Sequence, residues 1–242
     1  MNNLKGTIKD LLFYSEELKE DMNLLVYMPA NFSPLYKYHL LVTADGRDYF
    51  QLGRMARLCD ELLSDKEIEN LIVVGVPYTN TVDRREKYHP QGSKHNAYIR
   101  FLAHELVPFL DQEFPTFQMG MGRALIGDSL GATISLLTAI KYPNTFGKVL
   151  LQSPYINQRV LERVTIENST RQLSIYHSIG LKETEVVTTN DKVRDFLTPN
   201  RELNKYLTTH TLSYVYQEFN GDHSWKYWQD DLKTALKVMF GS

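Results

Sequence analysis

The sequence predicts an α/β fold: an open, mostly parallel sheet with helices on both faces, entered through antiparallel strands. Three observations carry this. The first 43 residues read as successive strands separated by polar turns, and strand and helix patterns alternate after that. In addition, strands such as LIVVGV and KVLLQS carry continuous apolar runs without alternation, as expected of a parallel strand buried on both faces.

Taken in order, TIKDLLFY, NLLVYMP and HLLVTAD are the opening strands, divided by EELKED and ANFSPLYKY. YFQLGRMARLCDELL has helical periodicity, and ENLIVVGVP is a strand. SKHNAYIRFLAHELVPFLDQEF is helical, RALIG a short strand, LGATISLLTAIKYP a helix and FGKVLLQSP a strand. LSIYHSIG is a strand, and NDKVRDFLTPNRELNKYL is read as a helix interrupted by Pro199. TLSYVYQEF is the last strand and SWKYWQDDLKTALKVMF the last helix. No repeat, low-complexity tract or Pro/Gly/Ser-rich linker divides the 242 residues, so residues 1–242 are read as one domain.

Composition narrows the partners. A formal charge of -2 gives no reason to expect nucleic acid or an anionic membrane surface. The single cysteine, Cys59, excludes an internal disulfide, and its amphipathic helix predicts a buried thiol. The N-terminal MNNLKGTIKD has no apolar core of a signal peptide, and no window approaches a membrane span. A cytoplasmic protein is expected.

In open α/β sheets ligands collect at the carboxyl ends of the strands. There, after the apolar ALI of the RALIG strand, lies Gly127-Asp128-Ser129-Leu130-Gly131, between a short strand and an apolar helix. G-x-S-x-G alone arises by chance in roughly one chain of this length in ten or twenty. The strand–turn–helix setting makes it a nucleophile elbow. Glycines 127 and 131 keep side chains out of a crowded turn, Ser129 is held in a strained conformation, and the Leu130 N–H faces the developing oxyanion. A serine nucleophile needs a base. His177 lies inside a strand, and His210 precedes a strand at the wrong end of the sheet. His223, in EFNGDHSW after the last strand, is on the right edge. The acid that orients the imidazole must come between them. Glu183, three residues after Gly180 at a strand end, is favoured over Glu185 and Asp191. The order nucleophile, acid, histidine is that of α/β hydrolases.

Two decoys are set aside. Of Gly120, Gly122 and Gly127, the first two precede the strand instead of following it and position 125 is Leu, which leaves a pyrophosphate no helix N-terminus. His104 begins a zinc-helix-like HELVP that has Pro108 where a second histidine is required. No metal or cofactor is expected.

The chain also resembles the esterase family of α/β hydrolases that includes enterochelin esterase-like proteins, esterase D and the mycolyltransferases. The resemblance rests on ordered segments: HLLVTADGRDYF, VVGVPYTNTVDRREKYHP, HELVPFLDQEF, GDSLGATISLLTAIKYPNTFG, GLKE and HSWKYW. It implies a three-layer fold whose central sheet has about eight strands, with Ser129 as nucleophile, His223 as base and Glu183 as acid. It further implies that the backbone N–H of Arg47, after D-G, joins Leu130 in the oxyanion site, and that Arg84 or Arg85 serves as a scaffold or pocket-rim ion-pair residue. Ala132 stands where the family often has another glycine. Asp45, Gly46, Tyr155 and Trp225 are expected at the substrate pocket, with Trp228 in the core. The expected reaction is hydrolysis of a small or solvent-accessible ester. Only about 19 residues separate LLQSP from LSIYHS, too few for a large lid there. The alternatives are a non-catalytic binding protein of the same fold, an acyltransferase, or a siderophore trilactone hydrolase.

Overall fold

The computed structural model describes residues 5–167 and 169–241. β1 (Thr7–Ser15) and β2 (Glu20–Met28) form an antiparallel ribbon at one edge of an eight-stranded sheet. β3 (His39–Thr43) lies further in and is followed by α1 (Gly46–Gln51) and α2 (Met55–Ser64). β4 (Leu71–Gly75) then pairs antiparallel with β2 and parallel with β3. The expected single helix over residues 49–63 is thus two helices. Gly53 separates them, and Arg54 at the start of α2 has φ 50°.

α3 (Thr81–Tyr88) is capped by the Asn80 side chain, which accepts from the Val82 and Asp83 N–H groups. α4 (His95–Arg100) and α5 (Val107–Glu113) are joined by a wider π-helical stretch, Phe101–Leu106. Pro108 accounts for that widening. Its ring has no N–H to donate and would crowd the carbonyl four residues back in a regular helix. β5 (Arg123–Asp128), α6 (Leu130–Lys141), β6 (Lys148–Gln152), α7 (Gln158–Glu167) and β7 (Ser174–Gly180) follow.

The stretch read as an interrupted helix folds differently. β8 (Val186–Val187) and β9 (Val193–Arg194) make a small antiparallel hairpin, and α8 (Leu197–His210) begins only afterwards. Pro199 lies in the first turn of α8, where its missing N–H costs nothing. β10 (Ser213–Phe219) pairs parallel with β7, and α9 (Trp225–Phe240) completes the chain. The strand order is β1-β2-β4-β3-β5-β6-β7-β10, with β3 to β7 and β10 parallel to one another.

Alternate side chains of the central strands enter two separate apolar cores. Val42, Val74, Leu125, Val149 and Ile175 face the layer that contains α6 and α8. Leu41, Val73, Ala124, Leu150 and Tyr176 face α1, α2 and α9. This is the expected three-layer arrangement, in which burial of both faces accounts for the unbroken apolar strands. Cys59 is fully buried in the second core, and burial pushes its thiol pKa far up. α6 is buried from Leu130 to Ile140 and runs directly behind the loop that carries Ser129. Among the described residues, no helix is long and apolar enough to cross a membrane.

Candidate active site

β5, β7 and β10 end at the same edge of the sheet, and the residues that follow them meet there. Ser129 has φ 53° and ψ -120°, a conformation that L-residues rarely adopt. Its backbone is held at both ends. The N–H donates to the Gln152 carbonyl at 2.9 Å, and the carbonyl accepts from the Thr133 and Tyr155 N–H groups and the Thr133 hydroxyl, each at 3.1 Å. A Cβ on Gly127 would lie 2.1 Å from the Gly131 carbonyl carbon, and one on Gly131 would lie 2.7 Å from Asp45 Oδ2. Both glycines are therefore dictated by close approach.

His223 Nε2 lies 2.9 Å from Ser129 Oγ, and its Nδ1 lies 2.6 Å from Glu183 Oε2. Glu183 is fully buried, and its other oxygen accepts the Ser153 hydroxyl at 2.6 Å and the Gly180 N–H at 2.8 Å. Glu185 and Asp191 are exposed on the following loop. The imidazole is held from the sides as well, by the Phe196 ring at 4.4 Å and edge-on by Trp228 at 4.8 Å between centroids. The Leu130 N–H, next to the serine in the chain, and the Arg47 N–H have no protein acceptor among the described residues. Each lies in the first turn of its helix, where no intrahelical acceptor exists.

A family described as "Putative esterase" matches residues 15–239. The chain belongs to that family. A protein from Bacillus subtilis (strain 168) named uncharacterized protein YjcH is 55% identical over 234 residues, covering 97% of this chain and 98% of the relative. Among solved structures, a ferulic acid esterase superposes with a TM-score of 0.79 at 16% identity, covering 98% of both chains. The enterobactin esterase Fes from Shigella flexneri, in the presence of enterobactin, gives 0.81 at 20% identity, with 96% of this chain covered and 58% of that one. At these identities the two structures establish the α/β hydrolase fold, and the family makes the protein an esterase.

Three of the four residues expected at the pocket of this esterase are not among the described residues that line the cleft. Asp45 is 1% exposed and is consumed by Arg84, which donates to it through Nε at 2.7 Å and Nη2 at 2.5 Å. Arg84 also lies 3.9 Å from the Asp128 carboxylate and stacks near the Tyr78 and Tyr88 rings. Arg84 is thus a scaffold ion-pair residue. Burial beside Asp45 keeps the Asp128 carboxyl pKa well above the usual range. Gly46 is required by packing instead of by substrate: a Cβ there would sit 2.5 Å from the backbone of Gly75 and Val76. Trp225 turns toward α1, edge-on to Tyr49 at 4.8 Å, and belongs to the second core. Of the two tryptophans, Trp228 is nearer the histidine, and its Nε1 donates to Ser153 Oγ at 3.0 Å.

Tyr155 does line the cleft in front of Ser129, which has about 100 Å³ of free space. One wall comes from α3 and the loop after it, through Arg85 and His89. The roof is the β8–β9 hairpin, where Val186 stands opposite Arg194 and Val187 opposite Val193. Sequence reasoning missed this roof, because it looked for a lid between β6 and β7. It also missed Ser153, which has φ 47° and directly follows β6. Its position at a strand end was the available signal. Among the described residues, no group of three or more His, Cys, Asp or Glu side chains could hold a metal ion.

His177, set aside as a base, is fully buried behind the site. Its Nε2 lies 2.7 Å from Asn200 Oδ1, while the Asn200 amide donates to the Pro154 and Phe196 carbonyls. The proton is therefore on Nε2, and Nδ1 accepts the Tyr214 hydroxyl at 2.9 Å. Burial lowers the His177 pKa to about 4. The unfolded chain then binds the extra proton first, so this residue costs stability as pH falls below ~6.5, and the loss levels off near 4. Between pH 7 and 5 the loss from His177 is about 2 kcal/mol. Urea denaturation at both pH values should show that much less acid destabilisation in His177→Gln, whose amide N–H can still reach Asn200. An equal loss in both proteins would refute the assignment.

Proposed function

We propose that the protein is a serine carboxylesterase acting on small or solvent-accessible esters. The observation that carries this reading is the unbroken hydrogen-bond chain from Ser129 through His223 to Glu183. Glu183 accepts a hydrogen bond from the Nδ1–H of His223, which keeps the ring proton on Nδ1 and leaves Nε2 as the basic nitrogen beside the serine hydroxyl. Ser129 Oγ attacks the ester carbonyl while His223 takes its proton. The oxyanion rests on the Leu130 and Arg47 N–H groups, with the N-terminal end of α6 behind it. Collapse of the tetrahedral intermediate, with His223 returning the proton, expels the alcohol and leaves an acyl-enzyme on Ser129. Water deprotonated by His223 then releases the acid. An oxyanion donor is worth about 3–4 kcal/mol of barrier, so two unclaimed N–H groups at this point are a large part of the rate.

The narrow cleft and its hairpin roof favour a short acyl group over a long lipid chain. The test is covalent labelling with a fluorophosphonate, followed by mass spectrometry of the digested protein. The adduct is expected on Ser129. No adduct there would move the protein to a binding role on the same fold.

A further inference from the structure

Three arginines line the cleft in front of Ser129, and they differ in what they have to bind. Arg84 is 12% exposed and already matched by the carboxylates of Asp45 and Asp128. Arg85 and Arg194 are exposed, and neither has a hydrogen bond or ion pair to any carboxylate among the described residues. They approach from opposite walls, Arg85 on α3 and Arg194 on the hairpin roof.

Two rings lie between them. The Arg194 guanidinium sits 5.6 Å from the Tyr155 ring centre, and the His89 ring is 5.7 Å from Tyr155. The Gln91 N–H donates to His89 Nδ1, so the neutral His89 ring carries its proton on Nε2 and is a further donor. Burial and then the adjacent arginine charges, Arg85 and Arg194, keep the His89 pKa below its usual value. Among the described residues, no Asp or Glu lines this cleft. The one carboxylate at its outer continuation is Glu86, in the open trough bounded by Thr81, Gln91 and Ser93.

An exposed guanidinium with no partner is ordinary on a surface. Two of them converging on a confined space, beside a histidine donor and with no opposing acid, form an anion-recognition arrangement. We infer that the ester attacked by Ser129 carries a negatively charged group, a carboxylate or its equivalent, held between Arg85 and Arg194. This rests on the reading of Ser129 as nucleophile and names its substrate class. The apolar side of the cleft, Val186 and Phe196, then faces the uncharged part of the same molecule.

The experiment compares matched substrates within one protein preparation: para-acetoxybenzoate against its methyl ester, and the mono-para-nitrophenyl ester of adipate against para-nitrophenyl hexanoate. The quantity read is the ratio of kcat/KM for the anionic member to that for the neutral member. It is measured for the native protein and for the doubly substituted Arg85→Met/Arg194→Met protein. Incomplete folding and the intrinsic reactivity of each ester cancel in that comparison. In at least one pair the ratio is expected to fall about 10- to 100-fold in the variant, the size of losing one or two charge-assisted contacts. A fall of less than fivefold in both pairs overturns the inference. If Ser129 takes up the fluorophosphonate yet the ratios do not move, only the substrate class is wrong. If Ser129 is not labelled, the nucleophile itself is wrong.

Discussion

Ser129→Ala is expected to lower kcat/KM for para-nitrophenyl acetate by a factor on the order of 10⁴ or more while leaving the melting temperature nearly unchanged. The two halves of this expectation have separate origins. Catalysis is lost because, among the described residues, no other hydroxyl is hydrogen-bonded to His223 Nε2, and an alanine methyl cannot form an ester. The fold is kept because the strain at residue 129 is a property of the backbone. Alanine and serine both carry a Cβ and meet the same resistance at φ 53°. The hydrogen bonds that hold that conformation come from the main chain of residue 129, which alanine retains. The check is steady-state hydrolysis beside a thermal melt. Native turnover in the variant would remove Ser129 from the mechanism.

The second large effect is expected at Glu183. Glu183→Gln keeps the size and most of the packing but introduces a pair of donors where only acceptors are tolerated. Two donors, the Ser153 hydroxyl and the Gly180 N–H, converge on Oε1. The amide oxygen of glutamine must stay with them, which turns its NH₂ toward His223 Nδ1. Nδ1 then has to accept, the ring proton moves to Nε2, and the nitrogen facing Ser129 can no longer act as a base. A tautomer error of this kind costs kcat roughly 10³- to 10⁴-fold. KM should change far less, because the buried carboxylate does not line the cleft. Activity within tenfold of native would show that His223 does not depend on Glu183 for its tautomer.

What could be read from the sequence follows from how local each signal is. The parallel strands were legible because burial on both faces leaves an unbroken apolar run in LIVVG and in the VLL centre of KVLLQ. The order of Ser129, Glu183 and His223 was legible because each follows a strand whose end was itself recognisable. The hairpin at 186–194 was not. Its strands are two residues long, too short for any periodicity, and they are embedded in a polar stretch that runs into a true helix. The roles of Asp45 and Trp225 were also beyond reach, since both depend on distant partners, Arg84 and Tyr49, that only the assembled sheet brings near. Ser153 lay at a readable strand end, yet nothing in QSPY reveals that its hydroxyl grips a carboxylate thirty residues away.

The hairpin roof leaves and rejoins the body of the protein at one point. The Glu183 carbonyl accepts the Phe196 N–H at 2.8 Å and the Leu197 N–H at 3.2 Å, closing the loop at its neck. Its tip is closed separately, by the Thr188 N–H to the Lys192 carbonyl at 2.9 Å. The two residues of this segment that touch the imidazole, Glu183 and Phe196, belong to the neck, whereas Val187 and Arg194 belong to the loop beyond it. Length and composition can therefore drift in the outer loop without disturbing the proton-transfer geometry beneath. On the proposed reading, part of the selectivity and the chemistry occupy separable segments of one chain, so a grafted loop from another source can retune what enters while the reaction stays the same.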